Sequence, residues 1–336
     1  MSRNAASPVY LVADVGGTNT RIGLAPAMTP GEQSVAYYEN AGFGALADVI
    51  RAYLAGHAQA RPDAVAVAIA GPVAHGRGRL TNLGWQADAE TLAEISGAPV
   101  AHVLNDLAAQ GYALDHLAPA AVERVLAGED GGPGAGAARL VVGIGTGFNA
   151  AAVHTIGARA FVAPGECGHA ALCARGPVPG ALADWIAERN GGFASVEDAL
   201  SGRGLENCDL FLAGGDGPAG KRRATEIVAA AHRGEDRALR AVRLFRDVLG
   251  AVIGDLALTF LPFGGIYLTG GVARSVLPFL GGQGFAGAFR AKGRFATFME
   301  RFPVSIVTDD TAALTGCTAY LRGLEAQGQP SQPVAQ

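Results

Sequence analysis

Apolar residues come in runs along this chain, and the breaks between runs decide its elements. The run Val9–Ala13 leads into Asp14, Val15, Gly16, Gly17 and Thr18, and Ile22-Gly23-Leu24 resumes the apolar pattern. This predicts strand, tight turn and strand. Leu46, Val49, Ile50, Tyr53 and Leu54 then fall at helical spacing over 45–55. Residues 64–70 are continuously apolar and read as a strand buried on both faces, ended by Gly71-Pro72-Val73. Residues 79–85 read as a strand or hairpin arm, and 89–95 as a short helix stopped by Gly97. Residues 100–104 form another buried strand, which hands over at Asn105-Asp106 to a helix running to about Leu117. Alternation of strand and helix marks an α/β lobe.

The second part begins after a Gly/Pro-rich connection, 128–137. Leu140–Ile144, a Gly145-Thr146-Gly147 turn and Ala150–Val153 repeat the plan of the first hairpin. Two such units far apart predict two copies of one fold. Residues 161–169 lead to a Gly/Pro bend at 176–180. A helix ends over 185–189, before Gly191-Gly192. Ser195 and Asp198 have capping-box spacing. Helices follow over 225–232 and 236–259, then strand and turn over 265–271, a strand over 304–307 and a last helix over 312–324. The Pro/Gln-rich tail 328–336 reads as disordered.

Composition narrows the function. The 336 residues are 49% hydrophobic, ample for two lobes, and the net charge is −4. No basic field invites nucleic acid or a membrane surface. The uncharged window 256–273 is interrupted by Pro262, Gly264, Gly265, Thr269, Gly270 and Gly271. It reads as a buried helix end and strand, not a membrane span. Cys167, Cys173, Cys208 and Cys317 form no CxxC pair, so free thiols in a cytoplasmic protein are expected. Residues 1–7 are short and polar, unlike a secretory signal. Residues 215–221 match most of a P-loop, but Arg222 stands where Ser or Thr would hold magnesium, and Pro218 lies in the loop. A surface turn fits better.

The chemistry-bearing residues cluster at the breaks. Paired glycines bring backbone N–H groups close to a ligand, and a carboxylate beside them suits a phosphate chain with a divalent metal. An ordinary hairpin is the alternative. Asp106, just past a buried strand, is either a helix N-cap or a proton acceptor, and position alone favours the cap. Glu166 and His169, three apart around Gly168, would form a compact polyol clamp. Metal binding is the rival reading, without obvious partner ligands.

Together these motifs resemble the superfamily of actin, the large heat-shock chaperones and the sugar kinases. Within it, residues from about Tyr10 to about Leu321 resemble the bacterial glucokinases of the hexokinase-like, zinc-free type. The resemblance implies a two-lobed α/β fold, the actin-like ATPase (ribonuclease H-like) type with a central cleft. The small lobe would take residues 1–115 with the C-terminal helix 310–327, and the large lobe 116–309. It implies ATP and Mg²⁺, glucose as substrate, and a homodimer. Asp106 falls on the family's catalytic base. Asn105, Asp106, Glu166, His169 and Glu197 fall on its sugar ligands, with Asn82 a weaker match. Ala13, Asp14, Val15, Gly16, Gly17, Thr18, Thr146, Gly147, Gly270 and Gly271 fall on its nucleotide segments, Asp14 holding the metal through water. Two places depart from the family pattern. Cys167 stands where glycine is usual, and Phe148-Asn149 replaces a more Gly/Leu-like pair. Both bear on sugar preference rather than fold. Alternatives are a kinase for mannose, fructose or an N-acylated amino sugar, and a sugar-sensing regulator. The regulators carry a DNA-binding domain before the first hairpin, where this sequence leaves no room. An actin-like filament former would have no use for Asn105-Asp106 or Glu166 and His169.

Overall fold

The computed structural model describes residues 8–26, 34–80, 83–128, 136–157, 159–214 and 221–326. The tail 328–336, most of the 128–137 connection, Asn82 and the P-loop-like residues 215–220 lie outside them. The chain divides into two units, residues 1–119 with 309–336, and residues 120–308.

In the first unit, β1 (Tyr10–Val15) and β2 (Asn19–Ala25) form an antiparallel hairpin, and β3 (Ala36–Glu39) pairs with β2. After α1 (Leu46–Ala55), β4 (Ala64–Ile69) enters parallel to β1. A small sheet of β5 (Val73–Ala74), β6 (Arg77–Arg79) and β7 (Gln86–Asp88) precedes α2 (Ala89–Ser96). Then β8 (Ala101–Asn105) lies parallel to β4 and leads into α3 (Asp106–Ala113). The main sheet has the order β3-β2-β1-β4-β8. Because strand side chains alternate, its two faces carry separate cores. Leu11, Ala13, Val15, Val65 and Val67 pack with Leu46, Val49, Ile50 and Tyr53 of α1. Tyr10, Val12, Ala66, Ala68 and Leu104 pack with Ala109 of α3 and with Ala313, Leu314, Cys317 and Leu321 of the C-terminal helix Ala312–Glu325.

The second unit repeats this order with different lengths. Its strands are β9 (Val122–Leu126), β10 (Arg139–Ile144), β11 (Phe148–Ile156) and β12 (Arg159–Ala163). The helices α4 (Pro177–Arg189), α5 (Val196–Ala199), α6 (Gly202–Leu212), α7 (Ala224–His232) and α8 (Asp236–Phe260) follow. β13 (Ile266–Thr269), α9 (Gly271–Leu280), α10 (Gln283–Arg290) and β14 (Val304–Val307) complete it. The sheet order is β12-β11-β10-β13-β14-β9. β12, β11 and β10 run antiparallel, while β10, β13 and β14 run parallel, as β3-β2-β1 and β1-β4-β8 do in the first unit. Leu140, Val142 and Ile144 pack on the long α8 through a core that includes Phe245, Leu249 and Ile253.

Four readings of the sequence need correction or narrowing. The bend expected over 176–180 is confined to Gly176, at φ of 90°: Pro177 opens α4 at its first position, where a missing N–H and fixed φ cost nothing. Of the two readings of 79–85, the hairpin arm holds and the single strand does not: Arg79 ends β6, which pairs antiparallel with β7, and Leu80 N–H bonds the Trp85 carbonyl at 2.9 Å. α3 stops at Ala113, short of Leu117. The turn after β13 is the start of α9, and this helix, α6, α10 and β9 had no sequence expectation.

Candidate active site

In the first unit, parallel pairing of β1, β4 and β8 brings Asp14, at the end of β1, and Asn105, at the end of β8, to one carboxyl edge of the sheet. That edge is where ligands bind in open α/β sheets. Arg21 lies opposite Asp14 in the hairpin register. Its guanidinium donates to Asp14 Oδ2 at 3.3 Å and to Asp310 Oδ2 at 3.3 Å, which holds the mostly buried Asp14 in place. The turn closes through Gly16 N–H to the Asn19 carbonyl at 3.0 Å. Buried Asn40 braces it, donating to the Gly16 carbonyl at 2.8 Å and accepting from Thr20 Oγ1 at 2.7 Å. Thr18 is exposed at the tip. Ala13 and Val15 send their side chains into the core, so only their backbone can meet a ligand.

The capping question at α3 has a definite answer. Asn105 is the cap: its Oδ1 accepts from Leu107 N–H at 3.0 Å and Ala108 N–H at 3.3 Å, and its Nδ2 donates to the Gly71 carbonyl at 3.1 Å. Asp106 is therefore the first helical residue, half-buried, with Leu107 N–H donating to its Oδ1 at 2.9 Å. The positive end of the helix favours a carboxylate there. Asn105 keeps only one amide N–H for a sugar.

In the second unit the β10–β11 hairpin gathers the other candidates. Glu166 precedes the single 3₁₀ turn Cys167–His169, and one such turn stacks positions 166 and 169 over each other. Both side chains are exposed. Gly168 passes so close to the Phe148 carbonyl that a Cβ would overlap it. Glu197 sits in α5, fixed by the Ser195–Asp198 capping box. Its Oε2 accepts from Phe148 N–H at 3.1 Å, and Arg203 donates to its Oε1 at 3.3 Å. Thr146 is exposed at the hairpin tip, and Gly145 N–H bonds the Gly147 carbonyl at 2.9 Å. Gly270 follows β13 with φ of 101° and lies against the Ile144 carbonyl, where a side chain has no space. Gly271 then opens α9, whose N-terminus has no side-chain cap. Burial pushes the Cys167 thiol pKa up, away from thiolate chemistry.

The counterpart of Asp14 in the second hairpin, by strand position and register, is Gly143, opposite Asn149. The metal-type carboxylate thus belongs to one copy. Sequence reasoning missed Asn40 and the Arg21–Asp310 link, which act across long sequence separations, and Arg203, whose partner Glu197 is six residues away with no helical-face pattern to mark the pair.

Residues 11–324 match the glucokinase family. The chain belongs to the glucokinase family. It is 33% identical over 314 residues to a glucokinase of Mesorhizobium japonicum, covering 93% of this chain and 91% of the relative. A glucokinase of Stenotrophomonas maltophilia is 33% identical over 332 residues, covering 96% and 97%. The crystal structure of a glucokinase from an Antarctic psychrotroph superposes with a TM-score of 0.79 at 30% identity, covering 94% of this chain and 99% of that one. This family member has the actin-like ATPase fold of the sugar kinases.

Among the described residues, no group of three or more His, Cys, Asp or Glu side chains could form a metal cage. None of the described helices is long and apolar enough to cross a membrane.

Proposed function

We propose that this chain transfers the γ-phosphoryl group of ATP to the 6-hydroxyl of glucose, giving glucose 6-phosphate and ADP. The observation that carries the reading is the division of labour at α3. Asn105 is the residue that caps the helix, and Asp106 stands as its first helical residue beside the carboxyl edge that also carries Asp14. Asp106 accepts the proton as the hydroxyl oxygen bonds to phosphorus and the bond to the ADP oxygen breaks. Asn105 contributes its remaining N–H to the sugar. In the second unit Glu166, His169 and Glu197 bind hydroxyls remote from the reacting one.

The phosphates are met by Gly16, Gly17 and Thr18 with the backbone of Ala13 and Val15, and by Thr146 and Gly147. Gly270, Gly271 and the uncapped α9 N-terminus serve the nucleotide. Among the described residues Asp14 belongs to no cluster of metal-type ligands, which fits Mg²⁺ held chiefly by phosphates and water. When bound, that ion neutralises charge on the phosphates. Four unpaired cysteines suit a cytoplasmic setting.

The test is a coupled ADP-release assay with glucose, mannose, fructose and N-acylated amino sugars. The highest kcat/KM is expected for glucose. A higher value for another sugar overturns the substrate assignment, and no sugar-dependent ADP release overturns the kinase reading.

A further inference from the structure

Asn149 lies on β11 opposite Gly143, and its carboxamide is used at both ends. Oδ1 accepts from the N–H groups of Ala150 at 2.8 Å and Cys167 at 3.1 Å. Nδ2 donates to the Gly165 carbonyl and to Glu166 Oε2, the latter at 3.2 Å. This orientation is the only one that pairs donors with acceptors. A flipped amide would face two N–H groups with its own NH₂, and a carbonyl and a carboxylate with its oxygen. One end therefore fastens backbone, and the other grips a carboxylate.

The two departures from the family pattern meet here. Asn149 bonds the backbone of Cys167, whose Sγ lies 3.6 Å from the Ala150 carbonyl. The segment 164–166 belongs to no regular element, so these side-chain bonds do the work that a ladder would do elsewhere. The first unit has the same device in other residues. Arg21, opposite the fifth residue of β1, holds Asp14; Asn149, opposite the fifth residue of β10, holds Glu166.

We propose that Asn149 is a positioning residue for sugar capture. It anchors the backbone of residues 165–167 and aims the Glu166 carboxylate so that it meets the hexose already oriented. A Glu side chain loses appreciable rotamer freedom when it is fixed, and a partner that fixes it beforehand removes that cost from binding. Asn149 thus acts on the sugar KM and leaves the nucleotide alone. The inference rests on Glu166 being a sugar ligand.

Asn149→Asp tests it. The variant keeps an acceptor for the two N–H groups but sets a second carboxylate against Glu166. The expected result is a rise of about ten- to a hundredfold in KM for glucose, as for a lost hydrogen bond to a charged group. The kcat and the KM for ATP should stay close to wild type. Asn149→Ser removes the same donor without adding charge and serves if the first variant folds poorly. Glu166→Gln is measured alongside. Combined with Asn149→Asp it re-forms an amide–carboxylate pair with the partners exchanged, so the double variant should be impaired less than the two singles combined. An unchanged glucose KM in both Asn149 variants, full additivity, or an equal rise in the ATP KM overturns the positioning role. A glucose KM unaffected by Glu166→Gln overturns the sugar role of Glu166 instead.

Discussion

The backbone N–H of Phe148 donates to the Glu197 carboxylate at 3.1 Å, joining residues 49 positions apart. The approach is so close that a Cβ on Gly147 would lie 2.5 Å from Glu197 Oε2. Gly147→Ala should therefore push the carboxylate aside without unfolding the chain, because the obstacle is the end of a side chain that can move. Steady-state kinetics should show a raised glucose KM, by about tenfold, with Tm nearly unchanged. A glucose KM equal to wild type would mean that the position of Glu197 is immaterial to the sugar.

Asp106→Asn keeps shape and removes basicity. The kcat should fall by about 10²–10⁴-fold while glucose still binds, as read by calorimetry. Retention of more than about a tenth of the wild-type kcat would end the case for Asp106 as base.

Asp14→Ala removes one of the two carboxylates paired with Arg21 and the proposed hold on Mg²⁺. The Mg²⁺ concentration for half-maximal rate should rise severalfold, with glucose affinity preserved. If the Mg²⁺ titration superposes on that of wild type, Asp14 serves only to anchor Arg21.

His102 gives a prediction about pH and stability. It is buried in β8, its Nε2 has no hydrogen-bond partner among the described residues, and burial holds its pKa below the ordinary value. The folded state therefore keeps the ring neutral, while the unfolded chain takes up a proton below about pH 6.5. The stability this allows is full above that pH and is lost as pH falls below it. The Tm of wild type should drop more than that of His102→Gln between about pH 7.5 and 5.5. Parallel pH profiles for the two proteins would contradict this.

Where a local pattern carried the structure, the sequence was legible. Apolar runs ending in glycine turns located both hairpins, Ser195 and Asp198 located a cap, and Asn105-Asp106 located the start of α3. Where packing overrode propensity, it was not. α10 has Gly284 and Gly287 in its interior, and Phe285 and Phe289 are buried in the core they share with α8. The site showed the same division. Its carboxylates stood out as residue types beside glycines. Their holders, Arg21, Asn149 and Arg203, are ordinary polar residues until the fold sets them against Asp14, Glu166 and Glu197.

Gly316 of the C-terminal helix lies against Ala109 of α3, so close that a Cβ would overlap the Ala109 carbonyl. Backbone meets backbone there, and no side-chain end can yield. Gly316→Ala should lower stability by about 1–3 kcal/mol, the usual cost of overpacking, as read by urea unfolding. An unchanged midpoint would show that the two helices separate easily.

The same contact sets an order of events during synthesis. The sheet face of Tyr10, Val12, Ala66 and Ala68 is covered by Ala313, Leu314, Cys317 and Leu321, and residues 120–308 are translated in between. At about 5–20 residues per second, the nascent chain carries this face uncovered for on the order of ten seconds or more. The first unit begun is thus the last completed.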